Sequence, residues 1–409
     1  MMKRPLKIIK HQRGQALIMM LFILLGTWVG LTWVTQLSER SQRQAHIQLV
    51  ADLATESFAV IASRDLNYKA ITNRAMLANS IAIAQLVGLQ SYTTMISQTT
   101  QNAALITSWV PYLNAIMARI SQMMRSLQRT LGTTISNLVN LERILIQLLS
   151  QSQLLFHAAA SATALQTAQH IVTSADDSLE IVLLNHATLP EFSYLWLMYQ
   201  NRQSNSGQFI NMAQFSRDGF SKRRSYTWFN VGTGVTARLE KWGGTEIVRT
   251  ATNHMSWQAI DIATLRVRLG PLSSYTVPVG WGGAAVGTRP PAYTPLDGEA
   301  FGGAYRGHGG ISRQAAMQAR VLQPSMMVPL YSSVDSNAGL PKITLVVREK
   351  DDPYKSFAIS RAQLQYTRPR VLWPRRDQLF ERANLFNGLW QARLVSISIA
   401  EQWLLEQQL

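Results

Sequence analysis

The chain has 409 residues, no cysteine, 47% apolar residues and a formal net charge of +16. That apolar content is enough for a sizeable core and excludes disorder by composition. The missing thiols exclude disulfides, thiolate metal sites and cysteine nucleophiles, and they leave the compartment open.

Residues 1–15 form a basic N-terminus with Lys3, Arg4, Lys7, Lys10 and Arg13 and no acid. Residues 16–35, ALIMMLFILLGTWVGLTWVT, follow without a charge. Twenty helical residues span about 30 Å, the hydrocarbon thickness of a bilayer. Backbone groups in lipid must bond within the segment, so a single-pass transmembrane helix is predicted. The preceding basic residues place the N-terminus in the cytoplasm and the body on the far side. A cleaved secretory signal is the competing reading. Against it stand the length of the apolar run and the exit TQLSERSQR, which holds no A-x-A-like site.

Residues 36–189 contain one proline, Pro111, and two glycines, Gly88 and Gly132, and are expected to form a helical stem or bundle. Leu37, Ile47, Leu49, Leu53 and Val60, interleaved with charges from Glu39 to Arg64, continue the anchor helix outward. Residues 113–148 carry heptads: Met117, Met124, Leu131, Leu138 and Leu145 in one series. Leu113, Ile120, Leu127, Leu141 and Leu148 fill the other, broken at Thr134, with Ile116, Met123 and Ile144 widening the face. This seam suits an intramolecular bundle or a coiled coil between subunits. The charge-poor flanks favour the bundle.

The grammar changes at Pro190: after Leu189 lie twelve of the fourteen prolines and nineteen of the twenty-four glycines. Residues 190–350 are expected to form a β-rich head, with strand-like runs RSYTWFNVG, TARLEKW, TEIVRTA, WQAIDIATLRVRL and PKITLVVREK. Residues 278–310, dense in Gly and Pro, read as a long loop. Residues 351–409 read as a mixed segment in which Trp390 and Trp403 could dock. The fold class is therefore α+β: a single N-terminal transmembrane helix running into a long helical stem, then a β-rich periplasmic head.

Chemistry is sparse. GTGVTA at Gly232–Ala237 fits G-x-G-x-x-A, but strand-like residues follow it, so a hairpin connection is expected and not a dinucleotide site. The seven histidines show no metal-ligand spacing, and His308 in RGHGG reads as a loop residue. Asp176–Asp177 reads as a solvated helix surface and Asp351–Asp352 as a turn. No catalytic, cofactor or metal residues, no cofactor and no small-molecule substrate are expected. An enzyme is the least favoured reading. The excess of 25 Lys/Arg over 15 Asp/Glu in residues 190–409 leaves open a binding module for an anionic surface or polymer such as cell wall, lipid or DNA. KRRSYTWF at 222–229 would stack on bases or sugars in that case.

Two stretches carry a family resemblance. Arg13, Gly14, Gln15 and Ala16 open the apolar helix, and Ala51, Asp52 and Ala54 follow. Then come Leu66, Asn67, Ala70, Asn73, Arg74, Ala75, Met76, Ala78 and Asn79. Together they resemble the TadE/TadG-like assembly proteins of the Tad (Flp, type IVc) pilus. Near the end, ANLFN at 383–387 and WQARL at 390–394 are similar to the ends of such proteins. The resemblance implies a bacterial inner-membrane protein with a periplasmic body, a minor-pilin-like or assembly component whose partners are other pilus or assembly subunits. It also implies a peptidase cleavage point after Gly14. Asn67, Asn73, Arg74 and Asn79, polar residues in an otherwise apolar helical stretch, are candidate contacts to neighbouring helices or to a partner subunit. Two features depart from the pattern. Met19 stands where pilins carry a glutamate, with no acid before Glu39, and the D-x-S-x-S metal triplet of some members is missing.

Overall fold

A computed structural model describes residues 15–109, 111–184, 186–201, 207–231, 235–251, 253–269, 273–292, 299–333, 339–350, 356–368 and 381–407. The basic N-terminus, Gly14, the core of the GTGVTA element and the Asp351–Asp352 pair lie outside these residues.

One helix, α1, runs from Gln15 to Ile106, through the apolar segment and onward without interruption. Between Leu31 and Val87 it meets neither glycine nor proline, the two residues that break helices. A 3-10 turn, Thr107–Trp109, ends it, and α2 runs from Pro111 to Ala175. Proline disfavours helix in the residue before it yet fits a first helical position, so Pro111 both closes the turn and opens α2. The pairs Thr94–Gln128, Tyr68–Ser152 and Arg43–Asp176 trace an antiparallel hairpin along its length.

The remaining elements are β1 (Leu179–Val182), α3 (Thr188–Leu197), α4 (Gly207–Phe215), α5 (Gly219–Lys222), β2 (Tyr226–Val231), β3 (Val235–Ala251), β4 (His254–Leu269) and β5 (Ser273–Val286). There follow α6 (Ala300–Gly307), α7 (Gly309–Met317), β6 (Arg320–Gln323), β7 (Met326–Met327), β8 (Lys342–Glu349), β9 (Phe357–Tyr366), β10 (Trp390–Leu394) and α8 (Ile399–Glu406). Two sheets result. The first has the order β1-β8-β9-β10 and the second β2-β3-β4-β5-β6, with β7 beside β4. All pairings are antiparallel except β5–β6.

Both sheets lie along α1, one after the other. The first packs Leu345, Val347, Ala358 and Leu364 on Ile47, Ala54, Phe58 and Leu66 of α1, with Ala164 and Ala168 of α2 closing the same core. The second packs Met255, Trp257, Ala259 and Val286 on Met76, Ile83 and Val87, with Ile135, Val139 and Ile146 of α2. Its opposite face, Ile260 and Ile262, is covered by α6 and α7. Behind the first sheet, Val346 and Ile359 meet Leu184, Ala187 and Leu405. The fold is thus α+β, with the sheets mounted on the flank of the stem rather than beyond its end.

The structure corrects several expectations. TARLEKW and TEIVRTA form one 17-residue strand, β3, across Gly243 and Gly244. Residues 278–310 are not one loop: β5 continues to Val286 and α6 and α7 occupy Ala300–Met317. The glycines have a packing reason. A Cβ on Gly280 or Gly282 would overlap the α1 backbone around Ser91–Thr99, and one on Gly283 would overlap Ala315 of α7. Only glycine lets the strand lie this close to a helix on each side. His308 is the N-cap of α7, its Nδ1 accepting from the Ile311 amide at 3.2 Å. Asp176 is no solvated surface acid, since Arg43 grips it at 2.5 Å. Trp390 is buried, whereas Trp403 is exposed.

The heptads also turn out differently. α2 meets α1 through Gln128, Ile135, Val139, Ile146, Gln153 and His157. The expected seam faces away: Ile120, Leu127, Leu141 and Leu148 are exposed, and Met117, Met124 and Leu131 are half-buried. The helix is apolar on two sides, and the intramolecular contact uses mainly the side that the heptads do not, with Leu131 of the first series packing against the second core.

Candidate functional site: the anchored helix and the segments locked to it

Residues 15–41 of α1 extend past the body, and from Leu17 to Leu37 every large apolar side chain is exposed. This helix is long and apolar enough to cross a membrane. Its polar side chains are satisfied internally. Thr27, Thr32 and Thr35 each donate to a carbonyl three residues back, at 2.9 Å, as an apolar solvent demands.

Where the helix enters the body, charge ties hold it. Arg43 donates to Asp176 (2.5 Å), to Glu349 (2.6 Å) and to Ser178 (2.7 Å), joining α1 to the end of α2 and to β8. Hydrogen bonds from Ser178 and then from Arg43 hold the Asp176 carboxyl well below the usual carboxylate range. Beside this tie a groove of about 650 Å³ runs between α1, the outer edge of β9 and α8. Gln44 and Gln48 reach across it to the carbonyls of Phe357 (2.8 Å) and Ile359 (3.3 Å), capping the strand edge that β10 leaves uncovered.

The four polar residues singled out on α1 divide into two pairs. Asn67 exchanges two hydrogen bonds with the Trp390 backbone, both at 2.9 Å, so that its amide acts as one more rung for β10. Asn73 is fully buried and donates to the carbonyls of Tyr331 (2.6 Å) and Leu385 (2.8 Å), while its own carbonyl accepts from Gln153 of α2 (2.8 Å). Both are thus engaged within the chain, and Asn73 bonds the neighbouring helix α2, one of the two uses expected of these residues. Arg74 is exposed and Asn79 half-buried, and these two remain on the outside. Asn67 and Asn73 come from one of the stretches that carry the family resemblance, and Leu385 and Trp390 come from the other. Over 300 residues apart in sequence, the two stretches lock to each other.

Two buried charge clusters went unseen in the sequence. Between α1 and α2, Asp65 accepts from Lys69 (2.9 Å) and contacts His157 (2.5 Å), and all three side chains are almost wholly buried. The Lys69 ammonium sits over the Tyr331 ring and the His157 ring packs against Trp196. Burial pushes the Lys69 ammonium down from its ordinary pKa, with Asp65 opposing the shift. The cavity beside the cluster, about 10 Å³, is no larger than a water. In the second sheet Asp261 is held by Arg224 (2.9 and 3.0 Å) and Lys241 (2.5 Å). Burial would raise the Asp261 carboxyl, but the two cations outweigh it and lower it. Arg224 is therefore spent inside the fold, and Tyr226 of the same KRRSYTWF run bonds Tyr92 of α1 (3.0 Å). The i, i+4 spacing of Asp65 and Lys69 in an apolar helix was the one signal available beforehand.

Among the described residues no three His, Asp or Glu side chains cluster as a metal site. No family model, no curated protein and no solved structure matches the chain. The arrangement can hold a helix upright and present its outer faces; the buried charges fix how the pieces meet.

Two outcomes are expected. Asn73→Ala leaves the Tyr331 and Leu385 carbonyls buried without this donor, at a cost of about 1–3 kcal/mol for each unpaired group. Arg74→Ala, one residue on but exposed, changes stability by less than about 0.5 kcal/mol. Denaturant titration of the two purified variants checks the contrast, and equal effects contradict it. The second outcome concerns acid. Burial alone would raise the Glu381 carboxyl, but hydrogen bonds from Tyr366, Asn387, Asn384 and Arg368 push it down to about 2 from its ordinary 4.5. A folded-state value below the unfolded one stabilises above the unfolded value and fades as pH falls through the folded one. The wild-type stability curve should therefore drop between about pH 4.5 and 2, and Glu381→Gln should flatten that part of it. An unchanged slope in the variant contradicts the assignment.

Proposed function

We propose that this chain is a membrane-anchored structural or assembly component, minor-pilin-like or TadG-like, of a Tad-type pilus or a related secretion filament. It sits in the bacterial inner membrane with a cytoplasmic N-terminus and a periplasmic body. It works through contacts with other subunits.

The observation that carries this reading is the meeting of the two resembling stretches on the helix that leaves the lipid. Asn67 and Asn73 receive Trp390 and Leu385 while the same helix continues from the apolar anchor to the far end of the body. Such an arrangement makes the family-like residues a clamp that holds the C-terminal strand to the anchor helix. Among the described residues the buried clusters around Asp65 and Asp261 tie elements of the fold to one another, and long stretches of helix surface face outward, the material of subunit contacts. Met19 at the pilin glutamate position removes the carboxylate that would pair with a neighbouring N-terminus in a filament core. A permanently anchored assembly role is favoured over incorporation.

Deletion of the gene in the bacterium that encodes it should abolish or sharply reduce Tad-type filaments, counted by electron microscopy. The full chain should restore them, and a chain without residues 16–35 should not. Filaments at wild-type number in the deletion strain would overturn the proposal.

A further inference from the structure

Along the outer face of α2 a repeat runs out of phase with the residues that hold α1. It begins with Ile116, Ile120, Met123 and Leu127, at steps of four, three and four residues. It ends with Leu141, Ile144, Leu148 and, beyond the polar step at Gln151, Leu155. Between them the same alternating steps land on Thr130, Thr134 and Asn137. Every one of these side chains is exposed, the apolar ones from 36% at Ile120 to 71% at Leu155. Alternating steps of three and four give a period of 3.5, which keeps a seam on one side of a helix that supercoils about another helix.

We infer that two copies of this chain pair in parallel through this face of α2. The inference uses the membrane anchor of the proposed function for the direction of pairing and does not depend on the filament. Copies anchored in one bilayer share one orientation and one height, so their seams meet parallel and in register. The polar layer then faces itself. Asn137, at a d position of the repeat, lies opposite Asn137 of the second copy, where two amides can exchange hydrogen bonds. A smooth apolar partner would leave that amide buried and unpaired.

The flanks agree with this occupant. Beside the seam, Met117, Met124 and Leu131 lie on one side and Arg119, Ser126 and Thr133 on the other. In a parallel pair each side faces its opposite, so Arg119 lies near Met124 of the second copy and no like charges meet. Forty residues of helix span about 60 Å. Four facing positions per heptad over that length give roughly twenty residues a side, within the range of a standard stable interface.

Because the chain has no cysteine, a single introduced thiol reports on one position alone. The test uses the full-length protein in membranes, oxidised mildly, with Asn137→Cys, Leu141→Cys and, as an exposed position off the seam, Gln122→Cys. Disulfide-linked dimers at both seam positions, with at least about ten-fold less at Gln122, are expected. Leu141→Glu added to Asn137→Cys should cut the dimer by a similar factor while the trypsin resistance of the body stays unchanged. No dimer at either seam position, or equal cross-linking at Gln122, overturns the pairing. A mixed disulfide between Ile116→Cys and Leu155→Cys chains co-expressed in one membrane overturns the parallel arrangement. Normal dimers in a strain whose filaments are unaffected by deletion would remove the filament reading and leave the pairing standing.

Discussion

The body depends on α1 remaining one helix from the apolar segment to its far end. A helix has a single cylinder of surface to share, and here it is divided lengthwise. The anchor end is bare. The next stretch carries the first sheet, and the last carries the second, with α2 returning along the flank of both. Any kink would move the two sheets relative to each other and to the apolar segment. The stretch from Leu31 to Val87 without glycine or proline is the sequence expression of that constraint.

The buried charges make sense against this geometry. Two long apolar helices can slide past one another by a turn at small cost in area, because one leucine replaces another. A buried carboxylate with its cation and histidine cannot slide, since breaking such a set strands a charge away from water. Asp65 with Lys69 and His157, and Asn73 with Gln153, occur near the middle of the hairpin, between the two sheets. Arg43 with Asp176 and Glu349 fixes the end nearest the apolar segment. In the second sheet, Asp261 draws Arg224 and Lys241 together under Gly88 of α1 and thereby sets how the sheet meets the helix. We read these clusters as devices of register more than of net stability.

How much of this was legible beforehand depended on how local its cause was. The anchor and the helical half could be read because length, charge and the exclusion of glycine and proline act within a few residues. The strands β5, β9 and β10 were hidden. In β5 the glycines at 280, 282 and 283 looked like loop composition, and their real cause, the nearness of two helices, lies far away in sequence. The heptads were visible, but their phase was not, since α2 is apolar on two sides and a sequence does not say which side finds α1. Asn67 and Asn73 could be picked out as unusual on an apolar helix. Their partners, more than 300 residues on, could not be named. The same distance problem concealed His157 beside Asp65, 92 residues apart.

In the proposed role a rigid hairpin stands on the membrane, its inner face carrying the sheets and its outer face open to other subunits. Cryo-electron microscopy of the full-length protein in lipid nanodiscs tests this most directly, through the height of the body above the disc. Residues 36–106 as one helix predict a density rising about 105 Å from the bilayer surface, with two sheet-containing lobes along one side. A body half as tall, or one lying flat on the disc, would contradict the single continuous helix on which the fold and its proposed role rest.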